Sequence, residues 1–297
     1  MLKDDHMLTQ QNYKSDIKPI FCPGCGDYGV DSAILKAMTD LQLDPDNTVV
    51  VSGIGCSSSM PHDLKTYGIH GIHGRALPIA EGVKLSNESL TVLVAGGDGD
   101  GYGIGMGHFV HAIRRNIDIT YIVMNNEIYG LTTGQASPTS MMGQKTKSTP
   151  FGVIERPVNP IAVALAAGAT YVARGFSGDP MHLAKLIEGG IKHKGFALID
   201  VQSPCVSFNH FNTYDWFRPR VYKLEEQGHD PHDFNAAMQK AFEFDNDSSK
   251  FPIGLFYEAD KPIYAALDVA LKKGPLVSQP MPTKEEIAEV MSEHMLD

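Results

Sequence analysis

Leu90-Thr-Val-Leu-Val-Ala-Gly-Gly-Asp-Gly-Asp-Gly-Tyr-Gly-Ile-Gly-Met-Gly107 is the stretch on which the reading of the fold turns. Leu90–Ala95 is a β-branched apolar run of the kind buried on both faces of a sheet, and a helical pattern follows over Gly105–Arg115. The glycine-rich turn between them lets backbone approach a ligand closely. The helix start behind it presents free N–H groups to an anion, so the turn suits a phosphate. Spacing excludes the two common nucleotide loops. A GxGxxG fingerprint begun at Gly97 meets Tyr102 at its third position, at Gly99 it meets Ile104, and at Gly101 it meets Met106. There is no GxxxxGK[ST] stretch either.

Outward from this turn the pattern repeats. Thr48–Ser52 and Ile119–Met124 are strands of the same buried type, and two more are predicted at Thr170–Ala173 and Phe196–Val201. Helices are predicted over Tyr28–Leu41, Pro160–Ala167 and Pro180–His193. Strand–helix alternation of this kind predicts an α/β fold, a parallel sheet with helices on both faces and ligands at the carboxyl ends of its strands. The segment from Pro138 to Pro160 is rich in Ser, Thr, Pro and Gly without periodicity, and is read as a functional or mobile loop carrying the solvated Lys145 and Lys147. Residues 1–205 are read as one domain. Residues 206–297, amphipathic over Pro231–Phe244, are read as a tail packing on that domain or on a partner subunit.

The net charge of −10 argues against general affinity for nucleic acid. No apolar run approaches the roughly 20 residues needed to cross a bilayer, and the opening residues carry charges throughout, unlike a signal peptide. The expectation is a cytoplasmic protein without membrane attachment. In that reducing compartment its four cysteines, Cys22, Cys25, Cys56 and Cys205, are less suited to disulfides than to ligand or redox roles.

Asp98 lies between two glycines of the phosphate turn. A carboxylate there is repelled by diphosphate oxygens unless a cation bridges them, and Mg²⁺ does this well. Asn125-Asn-Glu-Ile-Tyr-Gly-Leu131 ends the next strand and brings a carboxamide alongside. Gly97-Asp98-Gly99 followed at this distance by Asn-Asn resembles the motif of thiamine-diphosphate enzymes. That resemblance implies Mg²⁺ held by the side chains of Asp98 and Asn126 and by the Ile128 carbonyl. It also implies a diphosphate lined by Gly99, Asp100, Gly130 and Leu131.

Phe21-Cys-Pro-Gly-Cys-Gly-Asp27 forms a tight knuckle, while Cys56 and Cys205 each directly follow a strand. The four thiols can therefore gather at the edge of the sheet that carries the phosphate turn. Cysteines in fours bind Zn²⁺ or an iron–sulfur cluster, and spacing leaves both open. Two other readings stand beside the thiamine one. A zinc-stabilised nucleotide-binding protein is disfavoured by the failed GxGxxG registers, and an electron-transfer module without thiamine by the intact Asp98 and Asn126.

In combination and order, the knuckle, Gly-Ile-Gly-Cys-Ser, His70-Gly-Ile-His-Gly-Arg75, Gly-Asp-Gly-Asp and Asn-Asn resemble the β subunit of 2-oxoacid:ferredoxin oxidoreductases. The resemblance runs from Pro19 to about Trp216 and is strongest to the two-subunit 2-oxoglutarate enzymes. It implies that Cys22, Cys25, Cys56 and Cys205 ligate one [4Fe–4S] cluster. Ile54, Gly55, Cys56, Ser57 and His73 would border thiamine diphosphate, with His73 the catalytic candidate. It further implies a 2-oxoacid and coenzyme A as substrates, ferredoxin as electron acceptor, and an α subunit supplying the pyrimidine-binding domain and its glutamate. Residues after about Asp245 carry no such resemblance.

For the substrate, the polar segment Ser57–Lys65 and the residues Ser59, His62 and Arg75 are read as facing a second carboxylate, since a buried anion needs partners. That favours 2-oxoglutarate, converted to succinyl-CoA, over pyruvate or broad specificity. Arg75 has Glu81 as an alternative partner. Arg218, Arg220 and Lys223 are read as a patch for an acidic ferredoxin.

Overall fold

The computed structural model describes residues 7–293. Its strands are β1 (Thr48–Ser52), β2 (Tyr67–His70), β3 (Thr91–Gly97), β4 (Thr120–Asn125), β5 (Tyr171–Phe176), β6 (Ala197–Gln202), β7 (Val221–Lys223) and β8 (Phe251–Glu258). They form one sheet in the order β2-β1-β3-β4-β6-β5-β8-β7. Neighbours run parallel except β5 and β8, which pair antiparallel with a bulge at Val172/Ala173.

The alternation of side chains along each strand explains why the central runs are apolar throughout. Val49, Val51, Val92 and Val94 point into one core, and Val50, Leu93 and Ala95 into the other. The first core is closed by α2 (Ala76–Ser86), α3 (Met106–Arg115), α4 (Pro160–Ala167) and α6 (Phe234–Ala241). The second is closed by α1 (Asp27–Asp40) and α5 (Pro180–Lys192). The fold is therefore the predicted α/β layering.

Several elements lie outside the sequence reading, each for a physical reason. Helix α2 carries Pro78 in its first turn, where a missing N–H costs nothing, and Gly82 in its middle. Strand β2 is four residues at the sheet edge, all exposed, so it lacks an apolar pattern. Strand β8 contains Pro252 and Gly254, residues that argue against a strand in sequence. Together β7 and β8 bring the stretch after residue 205 into the same sheet. The final helix, α7 (Lys284–Glu293), has no buried residue. No helix among the described residues is long and apolar enough to cross a membrane.

Candidate active site

The carboxyl ends of β2, β1, β3 and β4 lie side by side, and the loops leaving them surround a cavity of about 260 Å³. The loop after β1 contributes Ile54, Gly55, Cys56 and Ser57, and His73 comes from the loop after β2. Asp98, Gly99 and Asp100 come from the turn after β3, and Asn126, Ile128, Gly130 and Leu131 from the turn after β4. Residues far apart in the chain thus line one space, because parallel strands put all their carboxyl ends on one edge. Tyr129, Met124 and Thr132 also line it and were missed in the sequence reading. Tyr129 stands inside the Asn125–Leu131 stretch and donates its hydroxyl to the Gly99 carbonyl at 3.2 Å, joining the two turns.

At the end of the cavity where a metal is expected, the metal pole, Asp98 is buried and its Oδ2 lies 2.6 Å from the Thr139 hydroxyl. Burial pushes its carboxyl up to about 6, opposed by bonds from Ser137 and Thr139. Such a group is stabilised as an anion by a divalent cation. Asn126 Oδ1 accepts the Ile128 N–H at 3.1 Å, an Asx turn that sets the loop. Glu127 between them holds φ 58, a left-handed conformation uncommon outside glycine. The hydroxyl of Ser57 is buried at the cavity wall without a partner, leaving a donor for a ligand oxygen. These donors suit a metal-bound diphosphate.

Asp100 lines the cavity with its carboxylate already engaged. Oδ1 accepts the N–H of Ile54 at 2.9 Å and of Gly74 at 2.7 Å, and His73 Nδ1 stands 3.1 Å away. Its side chain therefore clamps the loops after β1 and β2 together, and through them holds His73 at the cavity.

At the thiol pole, the Cys22–Cys25 knuckle is closed by a 3.0 Å bond from the Cys25 N–H to the Cys22 carbonyl. It is tied to the Cys205 loop by a 3.1 Å bond from the Gly26 N–H to the Pro204 carbonyl. Only glycine fits there, since a Cβ on Gly26 would stand 2.6 Å from Ser203 backbone. Gly130 faces the other two thiols. A Cβ on it would lie 3.6 Å from Cys205 Sγ, 3.7 Å from Cys56 Sγ and 3.8 Å from Asn126 Nδ2. The thiols and the metal-pole carboxamide therefore share one glycine-lined space. All four cysteines are free. Burial pushes the Cys56 thiol up to about 12 and Cys25 higher still, with Asp27 and the other cysteines adding to both. Among the described residues, no three His, Cys, Asp or Glu converge tightly enough for a single metal ion.

The substrate candidates are not at the cavity. The chain after Cys56 turns through Cys56–Ser59 into a short helix, Met60–Asp63, which carries it away beneath β2. Ser59 is buried and donates to Asp63 at 3.0 Å, while His62 pairs with His70 at 3.0 Å on the surface. Arg75 reaches back to the Gly74 carbonyl at 3.3 Å, and Glu81 takes Arg115 as its partner at 3.1 Å. None of Ser59, His62 and Arg75 lines the cavity; for Ser59 and His62 the local helix is the reason.

The Thiamine pyrophosphate enzyme, C-terminal TPP binding domain family matches residues 53–201. The C-terminal family of the pyruvate ferredoxin oxidoreductase beta subunit matches residues 205–273. The chain is 46% identical to 2-oxoacid:ferredoxin oxidoreductase 1, subunit beta, of Aeropyrum pernix, over 83% of this chain and 80% of that one. It is 40% identical to the 2-oxoglutarate synthase subunit KorB of Methanocaldococcus jannaschii, over 82% of this chain and 88% of that one. Among solved structures it resembles a 2-oxoglutarate:ferredoxin oxidoreductase from Magnetococcus marinus with 2-oxoglutarate, coenzyme A and succinyl-CoA bound. That match has TM-score 0.88 and 40% identity, covering 95% of this chain and 96% of the other. With the cavity built as described, the chain belongs to the β subunits of the 2-oxoacid:ferredoxin oxidoreductases.

Proposed function

We propose that this subunit holds Mg²⁺–thiamine diphosphate and one [4Fe–4S] cluster around a single cavity. With an α subunit it oxidatively decarboxylates 2-oxoglutarate to succinyl-CoA and passes the electrons to ferredoxin. The observation that carries this reading is the space at Gly130, where Cys56, Cys205 and Asn126 meet. Bound there, thiamine diphosphate supplies the electron sink for decarboxylation and the cluster supplies a one-electron acceptor beside it.

Asp98, Asn126 and the Ile128 carbonyl bind the cation, which offsets the charge of the diphosphate against Asp98. Ser57 donates its free hydroxyl to the cofactor, and Gly55 and Gly130 admit it by close backbone approach, while Gly99 leaves room for the Tyr129 ring that closes the turn. Asp100 orients His73 toward the reacting centre. Cys22, Cys25, Cys56 and Cys205 ligate the cluster as thiolates, ionised by the iron that offsets their burial. Cys22 is the exposed member, which makes its face the shortest exit for electrons to ferredoxin. The cation patch offered for ferredoxin is largely occupied: Arg218 pairs with Asp215 at 3.0 Å and Lys223 with Asp179 at 2.8 Å, and Arg220 lies 4.4 Å over Trp216.

Ile54 and Leu131 at the cavity and Ile72 and Ile104 nearby are exposed apolar residues, which favours a partner chain over the mouth. The α subunit is that partner. No Lys or Arg lines the cavity, so the group pairing with the distal carboxylate of 2-oxoglutarate is assigned to the α subunit. The substrate choice is supported by the 2-oxoglutarate enzymes among the relatives. The test compares kcat/KM for 2-oxoglutarate and pyruvate in the anaerobic αβ assembly. A preference for 2-oxoglutarate of about tenfold or more is expected. A preference for pyruvate would overturn the substrate assignment and leave the cofactor assignment intact.

A further inference from the structure

We propose that Thr139 and Ser140, at the start of the long loop after β4, are positioning residues that clamp the two halves of the metal pole. Neither lines the cavity, so both act through the residues that do. Both are buried, and both hydroxyls point at the elements that carry the metal donors.

Thr139 acts on the first half. Its hydroxyl lies 2.6 Å from Asp98 Oδ2 and 2.9 Å from Asn125 Oδ1. It has one proton, and the closer, charged oxygen is the stronger acceptor. Asn125 is held in register by its own 3.2 Å bond to Asp200, so the Thr139 hydroxyl has a fixed seat. A hydroxyl at this place fixes the plane of the carboxylate while leaving its charge for a cation. A Lys or Arg in the same position would neutralise it.

Ser140 acts on the second half. Its Oγ accepts the Ser137 N–H at 2.8 Å, which directs its proton to the Glu127 carbonyl at 2.6 Å. That carbonyl belongs to the left-handed residue between Asn126 and Ile128, whose conformation aims both of them. The Ser137–Ser140 turn is itself closed by a 3.1 Å backbone bond, and Pro138 accepts the Val158 N–H at 2.8 Å from the far end of the loop. One buried turn thus holds Asp98 and the Asn126–Ile128 turn at a fixed separation, the requirement for near-octahedral Mg²⁺.

This inference rests on the proposed metal role of Asp98, and the experiment separates the two. Thr139→Val, Thr139→Ser, Ser140→Ala and Asp98→Ala are each made in the full chain assembled with its α subunit. Thiamine diphosphate binding is titrated calorimetrically over a range of Mg²⁺, beside iron content and ligand-free melting temperature. Thr139→Val should raise the Mg²⁺ needed for half-saturation by about tenfold or more, with iron unchanged. Thr139→Ser should restore it, since only the hydroxyl is required, and Ser140→Ala should shift it in the same direction if Thr139→Val fails to fold. A wild-type Mg²⁺ requirement in Thr139→Val and Ser140→Ala, with binding lost in Asp98→Ala, would overturn the clamp alone. Wild-type Mg²⁺-dependent binding in Asp98→Ala would overturn the metal role beneath it.

Discussion

The two poles of the cavity are built in opposite ways. At the metal pole the donors are already fixed by protein hydrogen bonds: Asp98 by Thr139, Asn126 by the Ile128 N–H, and the turn between them by Ser140. At the thiol pole only the main chain is fixed. The knuckle and the Cys205 loop are bonded to each other, while the thiols are free and burial raises those of Cys25 and Cys56 toward the neutral form. Asp27 beside them keeps one buried oxygen without a partner, and burial pushes its carboxyl up to about 6. On the proposed assignment, metal-pole geometry precedes its ligand, whereas the thiols would reach their working charge state only with a cation among them.

The largest expected effect tests whether the poles are independent. Asp98→Ala should lower Mg²⁺-dependent thiamine diphosphate affinity by about 100-fold or more, close to 3 kcal/mol, while iron content stays at the wild-type level. Titration calorimetry and iron analysis on one preparation decide it. Parallel loss of iron would mean that the thiol pole depends on the metal pole, contrary to the construction described.

A smaller effect tests whether the poles share one space. Gly130→Ala places a methyl group 3.6 Å from Cys205 Sγ, 3.7 Å from Cys56 Sγ and 3.8 Å from Asn126 Nδ2, ordinary contacts that the empty chain tolerates. The ligand-free melting temperature should therefore hold, while loading of both thiamine diphosphate and iron falls, by about tenfold for the former. A defect in one group alone would separate the poles.

A last effect, on stability rather than loading, concerns α1, which leads away from the knuckle. Asp31 is buried on it with Oδ1 unpartnered, and burial, with Asp63 adding, pushes its carboxyl up to about 6 from the ordinary 3.8. The folded chain therefore holds a proton that the unfolded chain has released between these values. Its contribution to stability is present below pH 3.8 and is lost as pH rises through about 6. Asp31→Asn should stabilise the ligand-free chain at pH 7.5 by on the order of 2 kcal/mol and leave it little changed near pH 4. Denaturant unfolding at both values checks this, and an equal effect at the two would contradict it.

The parts legible in the sequence were those for which local pattern and topology agree. Buried strands announced themselves at Thr48–Ser52 and Leu90–Ala95, the latter observed as Thr91–Gly97, and a parallel sheet brings the residues after such strands to one edge. That is why Asp98, Asn126, Cys56 and Cys205 could be grouped before any coordinates. Contacts decided by side-chain direction were not legible. The helix at Met60–Asp63 turned Ser59 and His62 away from the cavity. Asp98 found its hydroxyl partner 41 residues on, in a loop without periodicity. Asp100 shares the turn with Asp98, yet its carboxylate serves Ile54 and Gly74. Strand β8 was hidden by Pro252 and Gly254, whose propensities are overridden by pairing with β5.

The proposed function stands on one cavity carrying both a Mg²⁺-dependent thiamine diphosphate site and a four-thiolate cluster. The decisive measurement is metal and cofactor analysis of the anaerobically purified αβ assembly, followed by thiamine diphosphate titration with and without Mg²⁺. The expected result is about four irons per copy of this chain and binding that disappears when Mg²⁺ is chelated. Stoichiometric zinc in place of iron, together with no Mg²⁺-dependent binding, would contradict it.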